Sequence, residues 1–231
     1  VFDSLLHVTV SDDNLLVGTR QGHLLMYSVA FRDGEQKPDV QLLRYNKNFS
    51  KKPIQQLAVV PEYQLLISLS DSVIGVHDMT VINFPLVTVV QRTRGRKLCV
   101  IQLKKQTTLT GEITVLVRMC VAVKRKLQFF YWKNNVFLDL HEDLGVADVP
   151  RALAWCQETI CVGFKGDYCL LQLTGEQQDL FPTGKFPEPS ITKLSDSTFA
   201  LGKDTQSIFM NTKGDPILKY AVKWTEVPVG V

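Results

Sequence analysis

Short apolar runs separated by polar turns follow one another along the whole 231-residue chain. The runs are rich in Val, Ile, Leu, Phe and Tyr, and they either alternate with polar residues or are continuously apolar, as β-strands are. No long segment has apolar residues at i, i+3, i+4 and i+7, the spacing of an amphipathic helix. Gly, Pro, Asp and Asn interrupt the runs about every 8 to 12 residues. The pattern therefore predicts an all-β protein.

One arrangement of these runs recurs five times. An apolar run that ends near a small residue is followed by a few polar residues and a second run, as in "LLVGTRQGHLLMYSV" from residue 15 and "ICVGFKGDYCLLQLT" from residue 160. The equivalent positions are 50, 54, 41 and 39 residues apart, at Val17, Ile67, Val121, Val162 and Leu201. A period of about 40 to 50 residues is that of a four-stranded propeller blade.

Each repeat also has an apolar run before it and often an extended run after it, which predicts four strands per unit. The fold prediction is therefore a β-propeller with about five four-stranded blades, and a jelly roll or sandwich is the all-β alternative. The final segment "KYAVKWTEVPVGV" is interpreted as the first strand of a sixth blade. We expect an incomplete ring, and hence a piece of a longer protein.

A small residue near the end of the second run is shared by the repeats, namely Gly18, Ser68, Ala122, Gly163 and Gly202. We interpret it as a packing requirement, because strands of neighbouring blades converge on the central channel of a propeller. A bulky side chain would not fit there. Packing within the repeat therefore explains these small residues, and no catalytic or binding role is needed for them.

The cysteines and the termini exclude several classes of protein. The chain has five cysteines, an odd number without a C-x-x-C pair, and most lie in apolar runs: Cys99, Cys120, Cys156, Cys161 and Cys169. We expect reduced structural thiols in a cytoplasmic protein and no zinc site. No run approaches 18 apolar residues, and the first residues lack the pattern of a signal peptide.

Catalytic motifs are absent from the sequence. It contains no G-x-S-x-G, no H-E-x-x-H and no P-loop. His77 and Asp78 are adjacent, but neighbouring residues on a strand point to opposite faces, so they do not form a dyad. We expect a protein without catalytic residues, cofactor or metal. A propeller enzyme with a channel site built from distant residues remains the alternative.

Charge is concentrated in one segment. Residues 92–126 contain ten basic residues and one acid, so the segment carries +9 and the rest of the chain −6. The candidate surface for a partner or a membrane consists of Arg92, Arg94, Arg96, Lys97, Lys104, Lys105, Lys124, Arg125 and Lys126. Such a surface attracts anionic lipids, at about 1 kcal/mol per basic residue, or an acidic protein. Ordinary solvated turns are the alternative, and nucleic acid is disfavoured because no aromatic residues interleave with the cations.

A second polar and basic connection, "NKNFSKKPIQQ" at residues 46–56, contains a single aromatic residue. Phe49 is a candidate exposed anchor for a partner. The alternative is that the ring folds back and fixes the loop to its own blade.

Seven segments in the same order carry a resemblance to a known family: "LLVGTRQGHLLMY", "NKNFSKKPIQQL", "RMCVAVKRKLQFFYWK", "DVPRALAWC", "ICVGFKGDY", "LFPTGKFPEP" and "WTEVPV". Together they resemble the N-terminal citron-homology (CNH) domain of the Vam6/Vps39-like vacuolar sorting family, from about residue 14 to the end of the chain. A related subunit of the CORVET complex shares "DLFP" but fewer of the other segments.

The resemblance implies that residues 1–231 are a truncated, seven-bladed CNH propeller that an α-solenoid would follow. It further implies a subunit of the HOPS tethering complex, which acts in the fusion of late endosomes and autophagosomes with lysosomes or vacuoles. The implied partners are a Rab-family small GTPase and other HOPS subunits, and the implied location is cytoplasmic and peripheral on those membranes. A CORVET subunit, or a citron-homology regulatory domain that binds another small GTPase, is the alternative.

Overall fold

The computed structural model describes residues 5–11, 14–31, 37–90, 97–107, 110–185 and 188–226. In this part of the chain every regular element is a β-strand, apart from one 3-10 turn at Pro61–Tyr63. The all-β prediction is confirmed. Within the same residues, no helix has the length and apolarity that a membrane crossing requires.

The strands form five four-stranded sheets, each built from four consecutive strands. The first sheet contains β1 Leu5–Ser11, β2 Asn14–Thr19, β3 Leu24–Ala30 and β4 Asp39–Asn46. The second sheet contains β5 Ile54–Val60, β6 Leu65–Ser70, β7 Val73–Asp78 and β8 Leu86–Val89. The third sheet contains β9 Lys97–Thr107, β10 Ile113–Val123, β11 Lys126–Lys133 and β12 Val136–Gly145.

The last two sheets have the same order of strands. The fourth sheet contains β13 Ala152–Cys156, β14 Thr159–Gly163, β15 Asp167–Gln172 and β16 Gln177–Pro182. The fifth sheet contains β17 Ile191–Ser195, β18 Thr198–Lys203, β19 Gln206–Asn211 and β20 Val222–Lys223. Antiparallel neighbours joined in sequence are the arrangement of propeller blades, so the predicted β-propeller class is confirmed with five blades.

The repeat found in the sequence corresponds to one hairpin per sheet. Its five equivalent positions all lie on the second strand of a sheet, at Val17, Ile67, Val121, Val162 and Leu201. The second and third strands carry most of the burial, and all six residues of β6 are buried. The fourth strands are more exposed, as β4 illustrates. The surface is therefore formed mainly by turns and by fourth strands.

The end of the chain differs from the prediction. The segment "KYAVKW" does not begin a sixth blade, because Val222 pairs with Ser207 and Lys223 pairs with Gln206. β20 is therefore the fourth strand of the fifth sheet. The sequence could not decide this, because an apolar run after a loop has the same pattern whether it is the last strand of one blade or the first strand of the next.

Two of the small residues of the repeat pack against the segment that begins the next sheet, a contact that the predicted channel does not account for. A Cβ atom at Gly18 would lie 2.6 Å from Cγ2 of Ile54, the first residue of β5. A Cβ atom at Gly163 would lie 2.6 Å from Cβ of Pro189, shortly before β17. In both cases the missing side chain makes room for the segment that begins the next sheet.

The described chain divides into two compact units. The first unit comprises residues 1–97 and 132–138, and the second comprises residues 98–131 and 139–231. The core of the first unit is formed between its two complete sheets, by side chains that include Leu16, Leu24, Ile54, Leu66 and Phe84. The second unit has two clusters, one around Trp155 and Phe129 and one around Phe199 and Tyr168.

Candidate interaction surface

The predicted basic surface is described only in part. Arg92, Arg94 and Arg96 lie outside the described residues. Lys97 begins β9, but the structure describes no side-chain position for it. The remaining members all belong to the second unit: Lys104, Lys105, Lys124, Arg125 and Lys126.

Three of these cations lie where the hairpin of β10 and β11 turns, and we call them the basic turn: Lys124, Arg125 and the first residue of β11, Lys126. All three are exposed, and Lys124 has a φ of 55°, in the left-handed region that side chains disfavour. Nη2 of Arg125 lies 3.6 Å from Oδ1 of Asp148. Nζ of Lys126 lies 4.0 Å from Oδ2 of Asp143. Two of the three charges therefore have an acidic neighbour in the same unit.

The other two cations lie far along the same sheet. Lys105 is exposed on β9, and Nζ of Lys104 donates to Oε1 of Glu158 at 2.7 Å. Arg118 contacts the same carboxylate, and it is separated from the end of β10 by five residues, or about 17 Å of strand. The five described cations therefore do not form one continuous patch.

A buried arginine that the sequence did not single out as a surface residue organises the region around Glu158. The Nε of Arg118 donates to Oε1 of Gln102 at 2.8 Å, and its Nη2 donates to the same oxygen and, at 2.8 Å, to the carbonyl of Gln157. Its Nη1 lies 3.2 Å from Oε2 of Glu158. The guanidinium also stacks 4.7 Å from the ring centroid of Trp155.

This network changes the electrostatics that the sequence predicts. Burial alone would raise the pKa of Glu158, but hydrogen bonds from Lys104 and Arg118 and their positive charges hold it below its usual value. Glu158 is therefore ionised at neutral pH and offsets part of the positive charge of the segment. Composition could not reveal this, because Glu158 lies 54 residues from Lys104 in sequence.

Phe49 occupies the position described by the alternative interpretation. Its ring is half-buried and packs against the core of the first unit. The centroids of the Phe49 and His77 rings are 4.4 Å apart, with an angle of 34° between the planes. The ring therefore fixes its own loop to the second sheet.

His77 is held in one neutral form by its two neighbours. Its Nδ1 lies 3.1 Å from the carbonyl oxygen of Phe84, which can only accept, so Nδ1 carries the proton. Nε2 therefore accepts from the hydroxyl of Ser68 at 2.9 Å. Burial lowers the pKa of His77. Asp78 bonds to the backbone and hydroxyl of Thr80, which agrees with the prediction that these neighbours form no dyad.

The described cysteines are buried thiols. Burial raises the pKa of Cys156 to about 11 and that of Cys169 to about 12, so both are protonated at neutral pH. Cys120 and Cys161 are also buried and unbridged. Among the described residues, no group of three His, Cys, Asp or Glu side chains could hold a metal ion. These thiols act as small apolar core residues.

The five repeated four-stranded sheets define the chain as a β-propeller protein, and the comparisons with known proteins place it more narrowly. A family model described as the CNH domain matches residues 11–231. The chain belongs to the CNH-domain family. The solved structure of the AfRom2 CNH domain superimposes with a TM-score of 0.60 at 16% identity, covering 97% of this chain and 74% of that one. At that identity the likeness shows the fold alone.

The sequence relatives are vacuolar sorting proteins. The chain is 42% identical over 230 residues to the Vam6/Vps39-like protein of Homo sapiens, which is 94% of this chain and 25% of that protein. It is 31% identical over 206 residues to the vacuolar protein sorting-associated protein 39 homolog of Drosophila melanogaster, which is 86% and 23% respectively. The chain thus spans about a quarter of the length of these relatives.

Proposed function

We propose that this chain is a non-catalytic interaction module of a HOPS-type membrane-tethering complex. The observation that carries the proposal is the 42% identity to a Vam6/Vps39-like protein over 94% of the chain. The chain matches only about a quarter of the length of such relatives. The role of the whole protein is therefore also part of this proposal. That role is the fusion of late endosomes and autophagosomes with lysosomes or vacuoles, where the protein is peripheral on the membrane.

The partner we propose is a Rab-family small GTPase, with other HOPS subunits as further partners of the complete protein. The basic turn is the surface proposed for the GTPase. Its three cations are exposed, adjacent and displayed on a hairpin whose two strands are fixed in register from Arg118 to Val123. Arg125 and Lys126 contact exposed or partly exposed carboxylates at 3.6 and 4.0 Å, and such pairs contribute at most about 1 kcal/mol. An acidic partner surface could therefore replace those contacts.

The test is a pull-down with the 231-residue chain against a panel of Rab proteins locked in the GTP or GDP state. We expect one GTP-locked Rab to be retained. Lys124→Glu/Arg125→Glu/Lys126→Glu should abolish retention at low salt, where such contacts are strongest. Reversal of the exposed Lys165 and Lys213, which lie elsewhere in the second unit, is the charge control and should leave binding intact.

Two results would contradict this assignment. Retention of no Rab protein by the folded chain argues against the GTPase partner. Equal binding of a Rab by the basic-turn variant and the unchanged chain removes the basic turn from the interface. Binding of vesicles that contain phosphatidylserine, lost in the same variant, would assign the basic turn to the membrane instead.

A second candidate is a citron-homology regulatory domain that binds a small GTPase of another family. The match of residues 11–231 to the CNH-domain family favours this candidate. Including Rho-family GTPases in the same panel separates the two. Retention of a Rho-family protein and of no Rab would support the regulatory domain.

A further inference from the structure

The loop between β4 and β5 carries three cations that the candidate surface does not include. We call residues 46–53 the basic loop, and its exposed lysines are Lys47, Lys51 and Lys52. The neighbouring turn between β2 and β3 adds the exposed Arg20. All four belong to the first unit, whereas the basic turn belongs to the second.

The basic loop is fixed by hydrogen bonds on both sides. The backbone N–H of Ser50 donates to the carbonyl of Gly22 at 3.0 Å. The hydroxyl of Ser50 lies 2.6 Å from that of Ser70, which donates to the carbonyl of Lys52 at 3.1 Å. The loop is thus tied to the β2–β3 turn and to the end of β6.

Glycine is required where the loop meets the β2–β3 turn. Gly22 has a φ of 83°, which side chains rarely adopt. A Cβ atom there would also lie 2.1 Å from the carbonyl oxygen of Ser50. Together with the ring of Phe49 on His77, this close contact holds the loop in one conformation. A fixed loop loses little conformational entropy when it binds a partner.

The contact between Ser50 and Gly22 brings the cations together. Arg20, Lys51 and Lys52 are each at most two residues from this contact, which is about 8 Å of backbone. Nζ of Lys47 lies 5.8 Å from the ring centroid of Tyr45, on the adjacent end of β4. Within the described part of the chain, no carboxylate lies within salt-bridge distance of any of these four cations.

We infer that the basic loop and Arg20 form a docking site for an acidic segment of a partner protein. Four cations on a fixed surface, with no salt-bridge partner among the described residues, produce a field that attracts carboxylates and raises association rates. Among the described residues of the turns that border the loop, the exposed Asp71 in the turn after β6 is the one acid. With one acid against four cations, the net charge of this described surface is positive.

The construction of the loop favours a protein segment over a lipid surface. Peripheral membrane segments combine cations with apolar side chains that enter the lipid. The one large apolar residue of the basic loop, Phe49, is turned inward onto His77. The exposed side chains of the loop are its three lysines together with Asn48 and Pro53. A surface of this kind, in which charged side chains predominate, suits carboxylates presented at intervals along a chain. This inference does not depend on the proposed Rab partner.

The probe for the test is a short fluorescein-labelled peptide of alternating Glu and Gly, titrated with the 231-residue chain and followed by fluorescence anisotropy. We expect binding at low salt that weakens steadily as salt is added. Lys51→Glu/Lys52→Glu should weaken it about tenfold, the size expected for two lost exposed ion pairs. Arg20→Glu alone should weaken it by a smaller factor.

The matched control is Lys165→Glu/Lys213→Glu, which makes the same change of net charge in the second unit. It should alter binding less than twofold, and circular dichroism with thermal unfolding checks that each variant is folded. Equal weakening by the control variant would overturn the proposal, because the attraction would then depend on net charge alone. Binding of phosphatidylserine vesicles, without binding of the peptide, would overturn it in favour of a membrane. If Lys51→Glu/Lys52→Glu does not fold, Arg20→Glu decides.

Discussion

The basic turn and the basic loop have a similar composition but different electrostatic surroundings. In the second unit, Lys104, Arg125 and Lys126 each have a carboxylate of the same unit within 4.0 Å. In the first unit, the described structure gives the cations of the basic loop no such partner. The number of cations in a stretch of sequence therefore does not measure the net positive charge of the surface, because carboxylates elsewhere in the chain can lie next to those cations.

The two regions also differ in what holds them in place. The region around Glu158 is organised by a buried charge, Arg118, whose side chain is only 5% exposed. The basic loop is held by neutral contacts, namely the hydroxyls of Ser50 and Ser70 and the ring of Phe49. Charged and neutral anchors respond differently to mutation, pH and salt, so the comparison can be tested.

The largest effect should come from Arg118→Met. The substitution removes the six hydrogen bonds of the guanidinium and leaves Oε1 of Gln102 without its donor. The carbonyl of Gln157 still accepts from Nε2 of Gln102 at 2.9 Å. Leaving a buried acceptor without its donor costs about 1–3 kcal/mol, and loss of the desolvated cation–π contact with Trp155 costs about 2 kcal/mol more. Urea unfolding should therefore show a free energy of unfolding lower by about that amount. A loss below about 1 kcal/mol would mean that the network is not a principal anchor.

Phe49→Ala should have the next largest effect, and it should act on the basic loop. Removing a half-buried ring costs about 2 kcal/mol, less than the 3–5 kcal/mol of a fully buried one. The freed loop should also become sensitive to trypsin after Lys51. Trp224→Ala, at a half-exposed ring in the other unit, is the control and should leave that cleavage slow. Unchanged cleavage in Phe49→Ala would show that the serine hydrogen bonds alone fix the loop.

Acid should affect the two units in different pH ranges. The pKa of His77 is lowered by burial, so the unfolded chain binds a proton first and stability falls as the pH drops below about 6.5. His7 acts in the same direction. The pKa of Glu158 is lowered by its cations, so its contribution is present above about pH 4.5 and is lost as the pH falls through the lower folded value.

Hydrogen exchange followed by mass spectrometry between about pH 7 and pH 3 can check this. Protection of β6 and β7 should decline first, and protection around β9 and β13 should follow at lower pH. His77→Gln should weaken the first decline without affecting the second. Loss of protection at one common pH would contradict the assignment of the two groups.

The smallest effects distinguish the unpaired cations from the paired ones. Lys51→Gln and Lys52→Gln should change the free energy of unfolding by less than about 0.5 kcal/mol, since surface changes away from special features are nearly neutral. Lys104→Gln should cost up to about 1 kcal/mol, because it removes the contact of 2.7 Å with Glu158. The difference between them should shrink in high salt. An equal loss of unfolding free energy in all three variants would contradict the distinction between the two regions.

The sequence predicted the repeat well, because the alternation of short apolar runs is a local property. All five hairpins and the first strand of every sheet lie where the pattern predicts them. The assignment of β20 to a sixth blade was wrong, since the choice of partner strand is not local. Counter-charges were missed for the same reason: Glu158 lies 40 residues from Arg118 along the chain. The inward position of Phe49 was one of two alternatives, and only packing decides between them.

Trp155 gives the molecule a built-in optical reporter. Its indole is fully buried between Arg118 and Phe129, and its N–H finds no acceptor among the described residues. A ring shielded from water emits at shorter wavelength than the half-exposed Trp224, so the emission spectrum of the folded protein should contain a distinct blue component. Loosening of the packing between the third and fourth sheets would shift that component to the red before the chain unfolds.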